Sequence, residues 1–171
     1  MFLRRLVVPL ALGAALTLTP AAQAAGIGGL VNESGPLRDL APEASPTDGA
    51  YARFVAFPSG GGTRAVLIVT GLRGTVGQTL GAHVHTGPCV AGQPATAGPH
   101  YNTVGDPTNH GDRTHEIWLD FTVRPGGFGV ADTTVPFVIP PGGAGSVVVH
   151  KLPTAPGGAA GLRIACLPAG F

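Results

Sequence analysis

Charge, aromatic side chains and cysteine are all scarce in this sequence, and each shortage closes off a class of function. Charged residues make up 11% of the 171 positions. With Arg4 and Arg5 in a segment expected to be removed, 8 of the 10 basic residues remain against 9 acidic ones. That balance gives no field to attract nucleic acid or an anionic membrane surface. Only 2 cysteines occur, neither near the start, which excludes a lipid-anchoring cysteine there and any cysteine-rich metal site. Beyond the first segment no apolar run is long enough to span a membrane, no stretch has the period of a helix, and no nucleotide-binding glycine motif stands out. Nor is an oligomer interface legible. What the chain does have is 28 glycines and 17 prolines alongside an ordinary apolar fraction of 44%. Such a composition favours many turns between short strands, and an all-β protein is expected.

Met1 to Ala24 combines a basic start (Arg4, Arg5), an apolar run from Leu6 to Leu18 and the small-residue end Ala22-Gln23-Ala24. That pattern is a secretory signal peptide cleaved after Ala24, placing the product in the periplasm, the cell envelope or the medium. Removing 24 of 171 residues leaves 147, enough for one domain with a core. Residues 25–47, rich in proline and glycine, read as a linker or irregular N-terminal segment with an irregular strand near Leu37 to Leu40. The domain itself is expected over 48–171.

Strand-like runs occur at Tyr51 to Phe57, Ala65 to Val69, Leu80 to His85, Glu116 to Val123, Phe128 to Val138, Ser146 to His150 and Leu162 to Leu167. Turn clusters such as Pro58-Ser59-Gly60-Gly61-Gly62 and Arg124-Pro125-Gly126-Gly127 separate them. Strands this short and closely spaced point to a sandwich or barrel.

The stretch from Gly81 to Cys89, Gly-Ala-His-Val-His-Thr-Gly-Pro-Cys, is the most informative. On a strand, His83 and His85 share one face and Val84 takes the other. Two imidazoles on a rigid face can converge on one metal ion. An isolated His-x-His is more often a solvated strand face, but all 6 histidines (His83, His85, His100, His110, His115 and His150) fall between positions 83 and 150. The strand-free run from Thr86 to Thr114 carries Cys89, His100 and His110, and long loops of this kind are usually functional or disordered. An exported setting favours a Cys89–Cys166 disulfide fixing that loop to the last strand. With no thiolate left over, an imidazole-rich site suits copper or zinc.

These residues resemble the copper/zinc superoxide dismutase family from about Tyr51 onward. Gly71-Leu72 followed by Gly81 to Cys89 is similar to the copper-ligand segment in its bacterial form. Ala97-Gly98-Pro99-His100-Tyr101-Asn102 resembles the segment with the metal-bridging histidine. Ser146-Val147-Val148-Val149-His150 is similar to the strand with the last copper ligand, and Gly161-Leu162-Arg163-Ile164-Ala165-Cys166 to the segment with the active-site arginine and second disulfide cysteine. The resemblance implies a Greek-key β-barrel or flattened sandwich of about seven or eight antiparallel strands with a long metal-binding loop. It implies copper held by His83, His85, His100 and His150, and superoxide as substrate. It gives His100 the role of releasing copper and carrying a proton, and Arg163 that of attracting and orienting the anion.

Two departures from the family pattern stand out. The family's zinc site takes two further loop histidines and an aspartate three positions after the second. His110 and His115 are the candidates here, but Trp118 stands where the aspartate belongs. Asp112, Glu116 or Asp120 is then left to complete a rearranged zinc site, or Glu116 orients His100 by a hydrogen bond in place of zinc. The loop from Lys151 to Leu162 is also short and has no acidic residue, so the family's aspartate bridge between the metal sites is missing. Both departures resemble copper-only members. The expected function is an exported superoxide dismutase yielding oxygen and hydrogen peroxide; the alternative is a copper-binding or copper-buffering protein on the same scaffold with little turnover.

Overall fold

The computed structural model describes residues 29–41, 46–105 and 111–171. The expected signal peptide and His110 lie outside the described residues. In chain order the strands are β1 (Val31–Pro36), β2 (Arg38–Asp39), β3 (Tyr51–Ser59), β4 (Gly62–Thr70), β5 (Thr79–Leu80), β6 (Ala82–His85), β7 (Phe121–Thr122), β8 (Gly129–Val135), β9 (Ser146–His150) and β10 (Arg163–Pro168).

Every strand pairing is antiparallel. One four-stranded sheet has the order β1-β3-β4-β8, the other β2-β10-β9-β6, and β5 with β7 forms a small ribbon. The all-β expectation holds, as a sandwich of two sheets and not as a closed barrel. Among the described residues no strand ladder joins one sheet to the other.

The core follows from the two-residue period of strands. β3 buries Ala52, Phe54 and Ala56, and β4 buries Ala65, Leu67 and Val69. Val84, Val147, Val149, Ala165 and Leu167 meet them from the second sheet. Strand β9 departs from the alternation, because all five of its residues are buried. Val147 and Val149 face the core, while Val148 belongs to a second cluster with Leu40, Cys89, Ala97 and Cys166. The outer face of this sheet is therefore covered by the loop that follows β6. A buried outer face is what lets histidines there leave water.

Three expectations need correction. The irregular strand expected near Leu37 to Leu40 is present as β2, paired with β10, but the segment before it is no linker: β1 pairs with β3 along its whole length, so residues 31–39 cross from one sheet to the other. Little hydrophobic alternation marks it, since an edge strand can be held by backbone pairing with only Val31 of β1 buried. The run expected at Leu80 to His85 breaks at Gly81, its first part joining the ribbon and its second the sheet. The run from Glu116 to Val123 is a strand only at Phe121–Thr122. Before it, a single bridge from Trp118 to His83 and the bonds Val84 N to Ile117 O (3.4 Å) and Leu119 N to Ala82 O (2.7 Å) tie the chain to β6.

Candidate metal centre

His83 and His85 stand on β6 directly across from Val148 and Ser146 of β9, on the face away from the core. His150, two residues beyond Val148, shares that face. His100 arrives from the loop through an isolated bridge to His85. Gly98 makes that approach feasible. Its φ of +67° is left-handed, and a Cβ there would sit 2.5 Å from Thr86 Oγ1.

The four imidazoles form one group, with a ring nitrogen of each within 4.8 Å of those of the others. The rings of His83 and His100 stack at 3.9 Å between centroids, and those of His85 and His150 at 5.5 Å. His83 and His85 are fully buried, and His150 is 4% exposed. The sequence-predicted set His83, His85, His100 and His150 is thus brought together.

Hydrogen bonds to the outer nitrogens decide which lone pairs face inward. His85 Nδ1–H donates to the Gly98 carbonyl (3.1 Å) and His150 Nδ1–H to the Gly161 carbonyl (3.2 Å). A carbonyl only accepts, so the proton is on Nδ1 and each Nε2 keeps a bare lone pair. Those two Nε2 atoms lie 3.3 Å apart. His100 Nδ1–H donates to Glu116 Oε2 at 2.9 Å, which likewise frees its Nε2. His83 is turned the other way: its Nε2 lies 2.8 Å from Thr154 Oγ1, while its Nδ1 is buried with no protein partner. An orphaned ring nitrogen beside three bare ones is costly in an apolar interior unless a cation joins them. The donor set fits one metal ion.

The sequence offers Glu116 both as one of three acids for a rearranged zinc site and as a hydrogen-bond partner orienting His100, and it is the second role that the structure shows. Its Oε2 accepts from His100 and from Trp118 Nε1–H (2.8 Å), and its Oε1 from Asn102 Nδ2–H (3.2 Å) and the Gly111 N–H (3.0 Å). Burial alone would raise this carboxyl. The hydrogen bonds from His100, Trp118 and Gly111 outweigh burial and hold it down at about 2, so it is ionised at neutral pH.

The other predicted residues fall as follows. Cys89 and Cys166 form the disulfide, with Cα atoms 5.6 Å apart. Arg163 pairs with His150 across β10 and β9 and donates from Nη1 to the Pro94 carbonyl (2.7 Å). Its positive charge is among the causes that lower both His85 and His150, after burial in each case. His115 is outside the group, its Nδ1 2.8 Å from Thr103 Oγ1. Among the described residues there is no second group of three or more metal-ligating side chains. All three acids considered for zinc are engaged: Asp112 with Thr114, Glu116 with His100, Asp120 with Thr154.

Sequence reasoning missed Trp118, Thr154 and the carbonyls of Gly98 and Gly161. It also missed Arg113, whose guanidinium lies 5.1 Å over the Trp118 ring. Carbonyls have no residue-type signature, and Thr154 is 71 positions from the histidine it meets.

Burial and the other imidazoles push His83 and His85 well below the ordinary 6.5, and burial takes His150 down to about 4. For these groups the unfolded chain binds protons that the fold refuses. Stability of the metal-free protein therefore rises with pH between about 4 and 6.5, with His150 alone contributing roughly 3 kcal/mol. Glu116 acts in the same sense lower down: its contribution is present above 4.5 and is lost as pH falls through about 2. Denaturant unfolding of the metal-free protein should show a large loss between about pH 7 and about pH 4. Equal stability at the two would contradict the burial of neutral imidazoles.

No protein-family model matches the chain, and no curated protein matches it.

Proposed function

We propose that this chain is an exported copper-dependent superoxide dismutase resembling the copper-only members of the copper/zinc family. The observation that carries the reading is the convergence of four histidines, each with one nitrogen turned inward and three with the other nitrogen held by a carbonyl or carboxylate. A thiolate-free set of four nitrogens suits Cu(II). The disulfide fits an oxidising compartment and supports export.

Copper at this site would supply one-electron reduction and oxidation in alternation, through which one superoxide leaves as dioxygen and another as hydrogen peroxide. The remaining work belongs to the chain. His83, His85 and His150 hold their nitrogens in a fixed array, because their strands are paired in one sheet. His100, 15% exposed in its side chain, would take up a proton at Nε2, the nitrogen that Glu116 leaves free, when that nitrogen is not holding the metal, and would pass it to the substrate. Glu116 keeps His100 Nδ1 protonated and the ring oriented, the service a zinc ion would otherwise give. Arg163, anchored on Pro94, stands on the His85 and His150 side and draws the anion toward them.

Arg163→Ala is expected to slow dismutation roughly tenfold, to reduce its dependence on salt, and to leave copper bound. An unchanged rate would remove Arg163 from the mechanism. The function itself is tested by the dismutation rate of copper-loaded, zinc-free protein beside His150→Ala. Fast turnover that the variant loses supports the enzyme. Slow turnover with copper fully bound supports the copper-buffering alternative, which the short acid-free loop from Lys151 to Leu162 favours.

A further inference from the structure

The hairpin after β9 folds back onto the histidine group. It is closed by Lys151 N to Leu162 O (2.9 Å), Leu152 N to Ala160 O (3.0 Å) and Ala155 N to Ala159 O (2.8 Å). Gly81 N donates to Leu152 O at 2.9 Å, docking the hairpin beside β6. Thr154 is thereby carried to His83, and it also meets an acid from a third segment. Its N–H donates to Asp120 Oδ2 (2.8 Å) and its hydroxyl to Asp120 Oδ1 (2.6 Å).

A threonine hydroxyl has one proton and two lone pairs. The carboxylate of Asp120 can only accept, so that proton is spent on it. The hydroxyl oxygen must then accept from His83, which puts the proton of His83 on Nε2 and leaves Nδ1 bare. His83 is thus the one histidine of the four whose inward nitrogen is Nδ1, and Thr154 and Asp120 are why. We infer that Thr154 and Asp120 are positioning residues that fix the tautomer and ring orientation of His83, and through it the affinity and geometry of the bound metal. A loop with no acid of its own obtains a carboxylate from Asp120, 34 residues earlier in the chain.

The inference rests on the copper reading above only for its second readout. The first is made on the metal-free protein: nitrogen NMR of the imidazoles of wild type, Thr154→Val and Thr154→Ser. Wild type should show His83 protonated on Nε2, and the serine variant should keep that state. The valine variant, which removes the hydroxyl at nearly constant shape, should lose it. The second readout is Cu(II) titration, in which the valine variant should bind roughly 10- to 100-fold more weakly with an altered electron paramagnetic resonance spectrum, and the serine variant like wild type. Protonation of His83 on Nδ1 in wild type would overturn the inference whether or not any variant folds. So would a valine variant matching wild type in both readouts, or a serine variant as impaired as valine. A wild type that shows the expected His83 state but binds no copper would sink the copper reading and leave the inference standing.

Discussion

Glu116→Gln is expected to destabilise the metal-free protein by about 3–5 kcal/mol and to weaken copper binding roughly 10- to 100-fold. The carboxylate accepts four hydrogen bonds, two on each oxygen. Glutamine offers one oxygen and one NH2 group, so two donors must face a third. Turning the amide either way leaves either His100 and Trp118, or Asn102 and the Gly111 N–H, opposed. Buried donors left unsatisfied cost about 1–3 kcal/mol each. Rebuilding the site around another acid is difficult, because Gly111 closes over the carboxylate with room for no side chain: a Cβ there would stand 2.7 Å from Glu116 Cγ. The stability loss is read by denaturant unfolding and the affinity loss by titration with Cu(II). A glutamine variant that binds copper like wild type would show that His100 needs no oriented partner.

Removing the disulfide, as Cys89→Ser with Cys166→Ser, should cost about 4 kcal/mol. The bond closes 77 positions of chain and links the loop after β6 to β10, so its loss frees a large unfolded ensemble. Its position adds a second cost. Both cysteines belong to the cluster with Leu40, Ala97 and Val148 that seals the outer face of the second sheet, beside the histidines. The Cys89 carbonyl also accepts from Arg38 Nη1 at 2.8 Å, tying the loop to β2. The double variant should therefore unfold at lower denaturant and hold copper less tightly even where it remains folded. Loss of stability without loss of copper affinity would place the disulfide's role in the fold alone.

The metal-site histidines were legible because β-structure translates spacing into geometry. His-x-His on a strand must share a face, and the Ser146 to His150 run must put His150 and Val148 on one side. The alternation in β3 and β4 was equally readable, since each buries one face only. Strand β1 was not, because its hydrogen bonds are backbone to backbone and its side chains carry almost no pattern. The irregular stretch Ile117 to Leu119 was read as strand since its residues are apolar. They are buried, but only a single bridge and two bonds tie them to β6. The partners of the histidines divide in the same way. Glu116 was within reach of sequence reasoning because it lies in the histidine-rich region. Thr154 was out of reach, because only the docking of the 151–162 hairpin brings it to His83.

The proposed function requires that the four histidines hold a single copper ion. The most direct test is electron paramagnetic resonance of zinc-free protein given one equivalent of Cu(II), compared with the single variants of His83, His85, His100 and His150 to alanine. One copper species with nitrogen coupling from four imidazoles is expected, lost or altered in each variant. A spectrum unchanged by any one of these substitutions, or copper distributed over several sites in wild type, would contradict it.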